Sequence, residues 1–249
     1  MFSKKETLKS FFFKCSIDKK ETSFSEIKTL YICTMSETPI LSAKVAEFLL
    51  KINAVKLQPE NPFTWASGWK SPIYCDNRKI LGHPNARNFI RDAFVEMVKS
   101  LKTKPDVIAG VATGGIAIGA LVAQEMNLPF CYVRSSAKSH GLNNSIEGDL
   151  KAEQKVFVIE DLISSGMSSL KAVEDLRKNG NTVVSLGAIF TYGFKNASEN
   201  FNSANCKFKT LTDYNELIDI AVSKKFIKPS DISTLNKWRL SPEKWKQNA

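Results

Sequence analysis

The run Val156-Phe157-Val158-Ile159-Glu160-Asp161-Leu162-Ile163-Ser164-Ser165-Gly166-Met167-Ser168-Ser169 sets two acids at the end of an apolar strand, ahead of a hydroxyl-rich turn that opens a helix. Backbone N–H groups at a helix start, helped by the Ser164, Ser165 and Ser168 hydroxyls, can cradle a phosphate dianion. Carboxylates next to such a cradle would repel the phosphate unless they face something else, and sugar hydroxyls or a hydrated Mg²⁺ are suitable partners. Acids closing a strand, or a serine capping a helix, would each be ordinary alone. In this order they describe a site for a phosphorylated sugar. There is no Gly-Lys-Ser/Thr of a P-loop, and no Gly-x-Gly-x-x-Gly follows the strand, so those two phosphate motifs are excluded.

Two further strings could serve the same site. Arg134-Ser135-Ser136-Ala137-Lys138-Ser139-His140-Gly141 opens a polar stretch too long for a simple connection. A long loop carrying Arg134, Lys138 and His140 beside a phosphate site predicts a lid over a polyanion, although Lys138 by itself reads equally as a solvated charge. The Thr113-Gly114-Gly115 turn has the small residues that let backbone N–H groups approach a ligand, and it reads equally as a plain tight turn. His83 has no partner nearby in the chain and reads as a surface or capping residue.

The elements that must position these residues are legible from period and punctuation. Val45, Ala46, Phe48, Leu49 and Ile52 recur at helical spacing with Ser42 placed to cap. Asn61 to Asp76 reads as an aromatic-rich hairpin punctuated by Gly and Pro, and a helix follows from about Pro84 to Leu101. Then come strand Val107 to Ala112, helix Ile116 to Met126 and strand Phe130 to Arg134. After the polar stretch the alternation resumes with strand Lys155 to Ile159, helix Ser168 to Asn179 and strand Thr182 to Phe190. Buried strands alternating with helices predict an α/β fold with a central parallel sheet covered on both faces, and ligands at the carboxyl ends of its strands.

On the acid–hydroxyl string the chain resembles the type I phosphoribosyltransferases, which bind phosphoribosyl pyrophosphate at an apolar strand, two acids and a Ser/Thr-Gly turn. Three more strings make the orotate phosphoribosyltransferases the narrower resemblance: Phe63 to Asp76, Arg134 to Gly141, and Phe190-Thr191-Tyr192-Gly193-Phe194. The resemblance covers about Ser42 to Trp245. It implies the family fold with a small N-terminal hairpin or hood, and Mg²⁺-dependent transfer of phosphoribosyl to orotate in pyrimidine synthesis. It places phosphoribosyl pyrophosphate on Thr113, Gly114, Arg134, Lys138, His140 and Glu160 to Ser168, including Leu162, Ile163 and Met167. Lys138, His140 and Asp161 would be catalytic. Orotate would meet Lys70, Tyr74, Ser164 and Tyr192, and Mg²⁺ would be held mainly through the substrate, with Glu160 and Asp161 as further candidate ligands. The loop would reach into the neighbouring subunit of a homodimer with shared active sites. The chain departs from the family at Ala66 and Ser135, where many members have Lys, and at Met167, where a small residue is usual.

Composition agrees. The 249 residues are 43% hydrophobic and 24% charged, which excludes collagen-like, low-complexity and wholly disordered classes. The net charge of +10 is spread without a basic run, so it suits a small polyanion at least as well as a nucleic acid. No helix-turn-helix appendage or clustered basic helix supports a nucleic-acid-binding regulator. Five cysteines, an odd number without zinc or redox spacing, suggest a reducing, cytoplasmic setting. The uncharged stretch Val107 to Ala123 is shorter than the ~20 residues a membrane span needs. Residues 1–34 hold seven Lys, four acids and no Gly or Pro, without the apolar stretch of a signal or the arginines of a transit peptide. They read as a disordered extension or a mis-assigned start before Met35, with residues 35–249 forming the phosphoribosyltransferase domain.

Overall fold

The computed structural model describes residues 39–65, 67–134 and 145–246. The extension at residues 1–34, Ala66, and the loop residues Ser135, Lys138 and His140 lie outside the described residues.

Helix α1 (Pro39–Lys51) leads to two small antiparallel ladders. Strand β1 (Val55–Leu57) pairs with β4 (Ile73–Cys75), and β2 (Phe63–Thr64) with β3 (Lys70–Ser71). A 3₁₀ turn (Asn77–Gly82) and helix α2 (Pro84–Lys99) follow. The α/β body is β5 (Val107–Val111), α3 (Gly114–Met126), β6 (Phe130–Val133), β7 (Ile146–Glu147), β8 (Lys155–Ile163), α4 (Met167–Lys178) and β9 (Thr182–Thr191). It continues with α5 (Lys195–Ser203), β10 (Phe208–Asp213), α6 (Tyr214–Ser223) and α7 (Asp231–Leu240). The sheet order is β10-β9-β8-β5-β6-β7, parallel except for β7, which runs antiparallel to β6 at one edge.

Side chains of a strand alternate between faces, and both faces here are apolar. Ile108, Phe157, Ile159 and Ile189 pack with Leu49 of α1, Phe94 of α2, Ile118 of α3, Leu217 of α6 and Trp238 of α7. Val107, Ala109, Val156, Val158 and Leu186 face the other way, against Ala172 and Leu176 of α4 and Phe201 of α5. Phe157 is fully buried, and truncating it to Ala would cost about 3–5 kcal/mol. This core holds the carboxyl ends of β5 and β8 side by side.

The fold agrees with the family expectation and corrects its details. Strand β8 does not stop at Ile159: the long neighbour β9 pairs Glu160 with Ala188 and Leu162 with Phe190, so both acids lie inside the ladder. Ser42 is not a cap but sits within α1, where its hydroxyl donates to Thr212 Oγ1 at 3.0 Å. The single hairpin read over Asn61 to Asp76 is two ladders, because Ile73 to Cys75 pair with Val55 to Leu57 instead. Among the described residues no helix is long and apolar enough to cross a membrane.

Candidate active site

Adjacent strand residues point to opposite faces, and this separates the two acids. Glu160 turns inward and is 4% exposed. Its Oε2 accepts from the Ser169 hydroxyl at 2.8 Å and its Oε1 from the Asp161 backbone N–H at 3.0 Å. Burial, with the Asp161 charge beside it, pushes the Glu160 carboxyl up to about 8, so it holds a proton at neutral pH. Asp161 is half-buried and lines the cleft. Its backbone carbonyl accepts from Asn77 Nδ2 at 2.7 Å, which ties the end of the hairpin region to β8.

The glycines of the neighbouring turn have a second use beyond the backbone access expected of them. A Cβ at Gly114 would lie 2.2 Å from Asp161 Cγ, and one at Gly115 would lie 2.3 Å from the Ile159 carbonyl oxygen. Only glycine therefore lets the start of α3 close on β8 with the Asp161 carboxylate against it, where the helix dipole favours a negative charge. The Ala112–Thr113 peptide before it is cis, and Thr113 stands exposed at the helix N-cap position.

The turn after β8 is shaped from behind. Gly166 adopts φ +79°, a left-handed conformation in which a Cβ would also meet Phe201 Cε2 at 2.5 Å. Asn200 Nδ2 donates to the Ser165 carbonyl at 3.0 Å. Helix α4 begins at Met167, so its free N–H groups open onto a cleft of about 300 Å³. Ala112 to Gly114, Glu160 to Leu162 and Ser164 to Ser168 line it.

Of the residues read from the sequence, the cleft gathers Thr113, Gly114, Glu160, Asp161, Leu162, Ser164, Ser165, Gly166, Met167 and Ser168. Ile163 instead points into the core, its carbonyl accepting from the Thr191 hydroxyl at 3.1 Å. Tyr192 is 2% exposed within an aromatic cluster, with ring centroids 5.3 Å from Trp65 and 5.7 Å from Trp238. Burial raises its phenol well above the ordinary value. Tyr74, 42% exposed, leans on Phe63 at 5.6 Å, and Lys70 donates to the Thr64 hydroxyl at 3.2 Å. Arg134 lies 3.4 Å from the Glu147 carboxylate across the β6–β7 edge. Sequence reasoning missed Ser169, Asn77 and Asn200. Ser169 was within the string, one helical position past the phosphate turn, whereas Asn77 and Asn200 bond to backbone atoms far along the chain and left no local signal. Burial and the charges of Asp161 and Asp76 raise the Cys75 thiol, which makes it a poor nucleophile.

An apolar strand that carries the Asp161 carboxyl into a cleft between two helix starts and a serine-rich turn is a setting that can hold a phosphorylated sugar. A phosphoribosyl transferase domain model matches residues 76–222. The chain is 54% identical over 200 residues to an orotate phosphoribosyltransferase of Bacteroides thetaiotaomicron, covering 80% of this chain and 94% of that protein. The crystal structure of orotate phosphoribosyltransferase from Aeropyrum pernix superposes with a TM-score of 0.63 at 28% identity, over 74% of this chain and 99% of that one. Leishmania donovani UMP synthase gives a TM-score of 0.67 at 25% identity over 80% of this chain, which spans 42% of the larger protein. The chain belongs to the phosphoribosyltransferase family and, within it, to the orotate phosphoribosyltransferases.

Proposed function

We propose that this enzyme transfers the 5-phosphoribosyl group of phosphoribosyl pyrophosphate to a ring nitrogen of orotate, forming orotidine 5′-monophosphate and pyrophosphate. One observation carries the reading: a cleft joining the Asp161 carboxyl to a serine-rich helix start lies in a chain 54% identical to a protein named for orotate. The bond from the anomeric carbon to pyrophosphate breaks as the bond to the base nitrogen forms, through a ribosyl cation of oxocarbenium character. Asp161, with its charge facing the cleft, stabilises that cation and holds ribose hydroxyls. Glu160, protonated and turned inward, positions Asp161 through its backbone N–H rather than adding a second charge. The N–H groups and hydroxyls of Ser164 to Ser168 take the 5-phosphate, and the start of α3 faces the pyrophosphate. Arg134, Lys138 and His140 serve the leaving group, and Tyr74, Lys70 and Ser164 the base. Tyr192 supports the base side from the core.

Among the described residues no group of three or more His, Cys, Asp or Glu could hold a metal by itself. With Glu160 engaged at both oxygens, Asp161 is the carboxylate that fits a Mg²⁺ carried in by the substrate. When bound, the ion neutralises pyrophosphate charge. We read the working form as a cytoplasmic homodimer in which Lys138 of each subunit serves the neighbouring site.

Incubation with phosphoribosyl pyrophosphate, Mg²⁺ and a panel of bases tests the substrate, with orotate loss followed by absorbance. Orotate is consumed, and adenine, hypoxanthine and uracil are not; comparable turnover of a purine overturns the orotate assignment. For the shared sites, Lys138→Ala and Asp161→Asn proteins are mixed and allowed to exchange subunits. Activity reappears in heterodimers that carry both lesions in one site and neither in the other, whereas no recovery despite confirmed exchange means that each loop serves its own subunit.

A further inference from the structure

Helix α5 contributes nothing to the cleft lining, yet two consecutive side chains of α5 grip the turn that does. Asn200 Nδ2 donates to the Ser165 carbonyl at 3.0 Å and lies 3.7 Å from Met167 Sδ. Phe201, 1% exposed, fills the space that a side chain at Gly166 would need. Ser165, Gly166 and Met167 all line the cleft.

A trans peptide unit is planar, with its C=O and N–H on opposite sides. A bond to the Ser165 carbonyl therefore also sets the direction of the Gly166 N–H, which points away from Asn200. Gly166 sits at φ +79°, and a glycine gives the Ser165–Gly166 unit little intrinsic resistance to rotation. Turned over, that unit would present a carbonyl oxygen to the anion in place of a donor. Phe201 holds the floor of the turn but has no polar atom with which to set the orientation of the peptide.

We propose that Asn200 is a positioning residue for anion binding: it locks the Ser165–Gly166 peptide with its N–H toward the cleft. The same amide lies against the thioether of Met167, 62% exposed at the first position of α4, so the bulky residue at the mouth of the cradle is steered by the group that orients its floor. This inference rests on the reading of Ser164 to Ser168 as the cradle for the 5-phosphate.

The test compares full-length wild type with Asn200→Ala, Asn200→Gln, Asn200→Asp and Ser168→Ala. The readouts are ribose 5-phosphate binding by calorimetry, the KM for phosphoribosyl pyrophosphate and for orotate, and the melting temperature. Asn200→Ala weakens ribose 5-phosphate binding and raises the KM for phosphoribosyl pyrophosphate by roughly 5–10-fold, the effect of one lost hydrogen bond. The KM for orotate stays within about two-fold, since the base side is untouched. Asn200→Gln, which keeps a donor, recovers part of the loss. Asn200→Asp, which sets a carboxylate against the Ser165 carbonyl, loses more than Ala does and supplies the comparison with Gln even if the Ala protein fails to fold. Unchanged ribose 5-phosphate affinity in the Asn200 variants, with Ser168→Ala weakened, overturns the positioning role. Parallel rises in both KM values with a fall in melting temperature also overturn it, in favour of general loosening. If Ser168→Ala leaves that affinity unchanged as well, the cradle reading itself falls and takes the inference with it.

Discussion

Along the β8–α4 side of the cleft, from Glu160 to Ser169, one polar group after another is anchored from outside the segment. Asn77 holds the Asp161 carbonyl, Thr191 the Ile163 carbonyl and Asn200 the Ser165 carbonyl, while Ser169 closes back on Glu160. The hairpin side, from Val55 to Cys75, is held mostly from within: by a three-residue ladder, a two-residue ladder, the Trp65–Trp69 turn bond, the Ser71 hydroxyl donating to the Ile73 carbonyl at 2.8 Å, and the Trp65 indole donating to the same carbonyl at 3.0 Å. Short two-stranded ladders are marginal by themselves, and this one leaves Trp69 and Tyr74 36% and 42% exposed. The difference separates two tasks. In the proposed reading, ribose and phosphate would meet a wall anchored from distant parts of the chain, and the base a surface held by bonds within its own segment.

The strongest way to break the rigid side is Gly114→Ala. The new Cβ must displace the Asp161 carboxylate, and a misplacement of about 1 Å costs roughly 10²-fold in kcat/KM. Steady-state kinetics with a melting curve measure this; a wild-type rate would show that Asp161 can move aside without cost. Trp65→Phe probes the other side by removing the indole N–H while keeping most of the ring. The KM for orotate should rise about 5-fold, with that for phosphoribosyl pyrophosphate unchanged. Equal rises in both would mean that the two sides act as one unit.

The smallest effect is thermal and comes from Glu160. With its carboxyl near 8 in the fold against 4.5 ordinarily, the folded state keeps a proton that the unfolded chain gives up. The stability contributed by that proton is complete below pH 4.5 and is lost as pH rises through 8. Glu160→Gln has no such loss, and its amide oxygen can still accept from the Asp161 N–H. Its melting temperature relative to wild type should therefore be a few °C higher at pH 8.5 than at pH 5.5. A difference independent of pH would place the charge on Glu160 throughout.

The strands were legible because Val107 to Val111 and Val156 to Ile159 are continuous apolar runs closed by small or charged residues. The cleft was legible because its lining is nearly contiguous in the chain. What could not be read was direction. Glu160 and Asp161 are adjacent in the same string, yet the pleat sends one inward and the other to the cleft. The family resemblance of the Phe190 to Phe194 string puts Tyr192 at the base, but Trp65 and Trp238, far away in the chain, enclose it. The elements from α5 to α7 left weaker signals: α5 is mostly polar, and its value lies in two side chains that reach back to Ser165 and Gly166.

The central claim, that phosphoribosyl transfer to orotate occurs against Asp161, is tested most directly by product analysis of wild type and Asp161→Asn. Both proteins are incubated with orotate, phosphoribosyl pyrophosphate and Mg²⁺, and ribose 5-phosphate binding confirms that the variant retains the cradle. The account predicts equimolar orotidine 5′-monophosphate and pyrophosphate from wild type, and at least about 10²-fold slower formation of both from the variant. Undiminished product formation by Asp161→Asn would contradict it and place the chemistry away from this cleft.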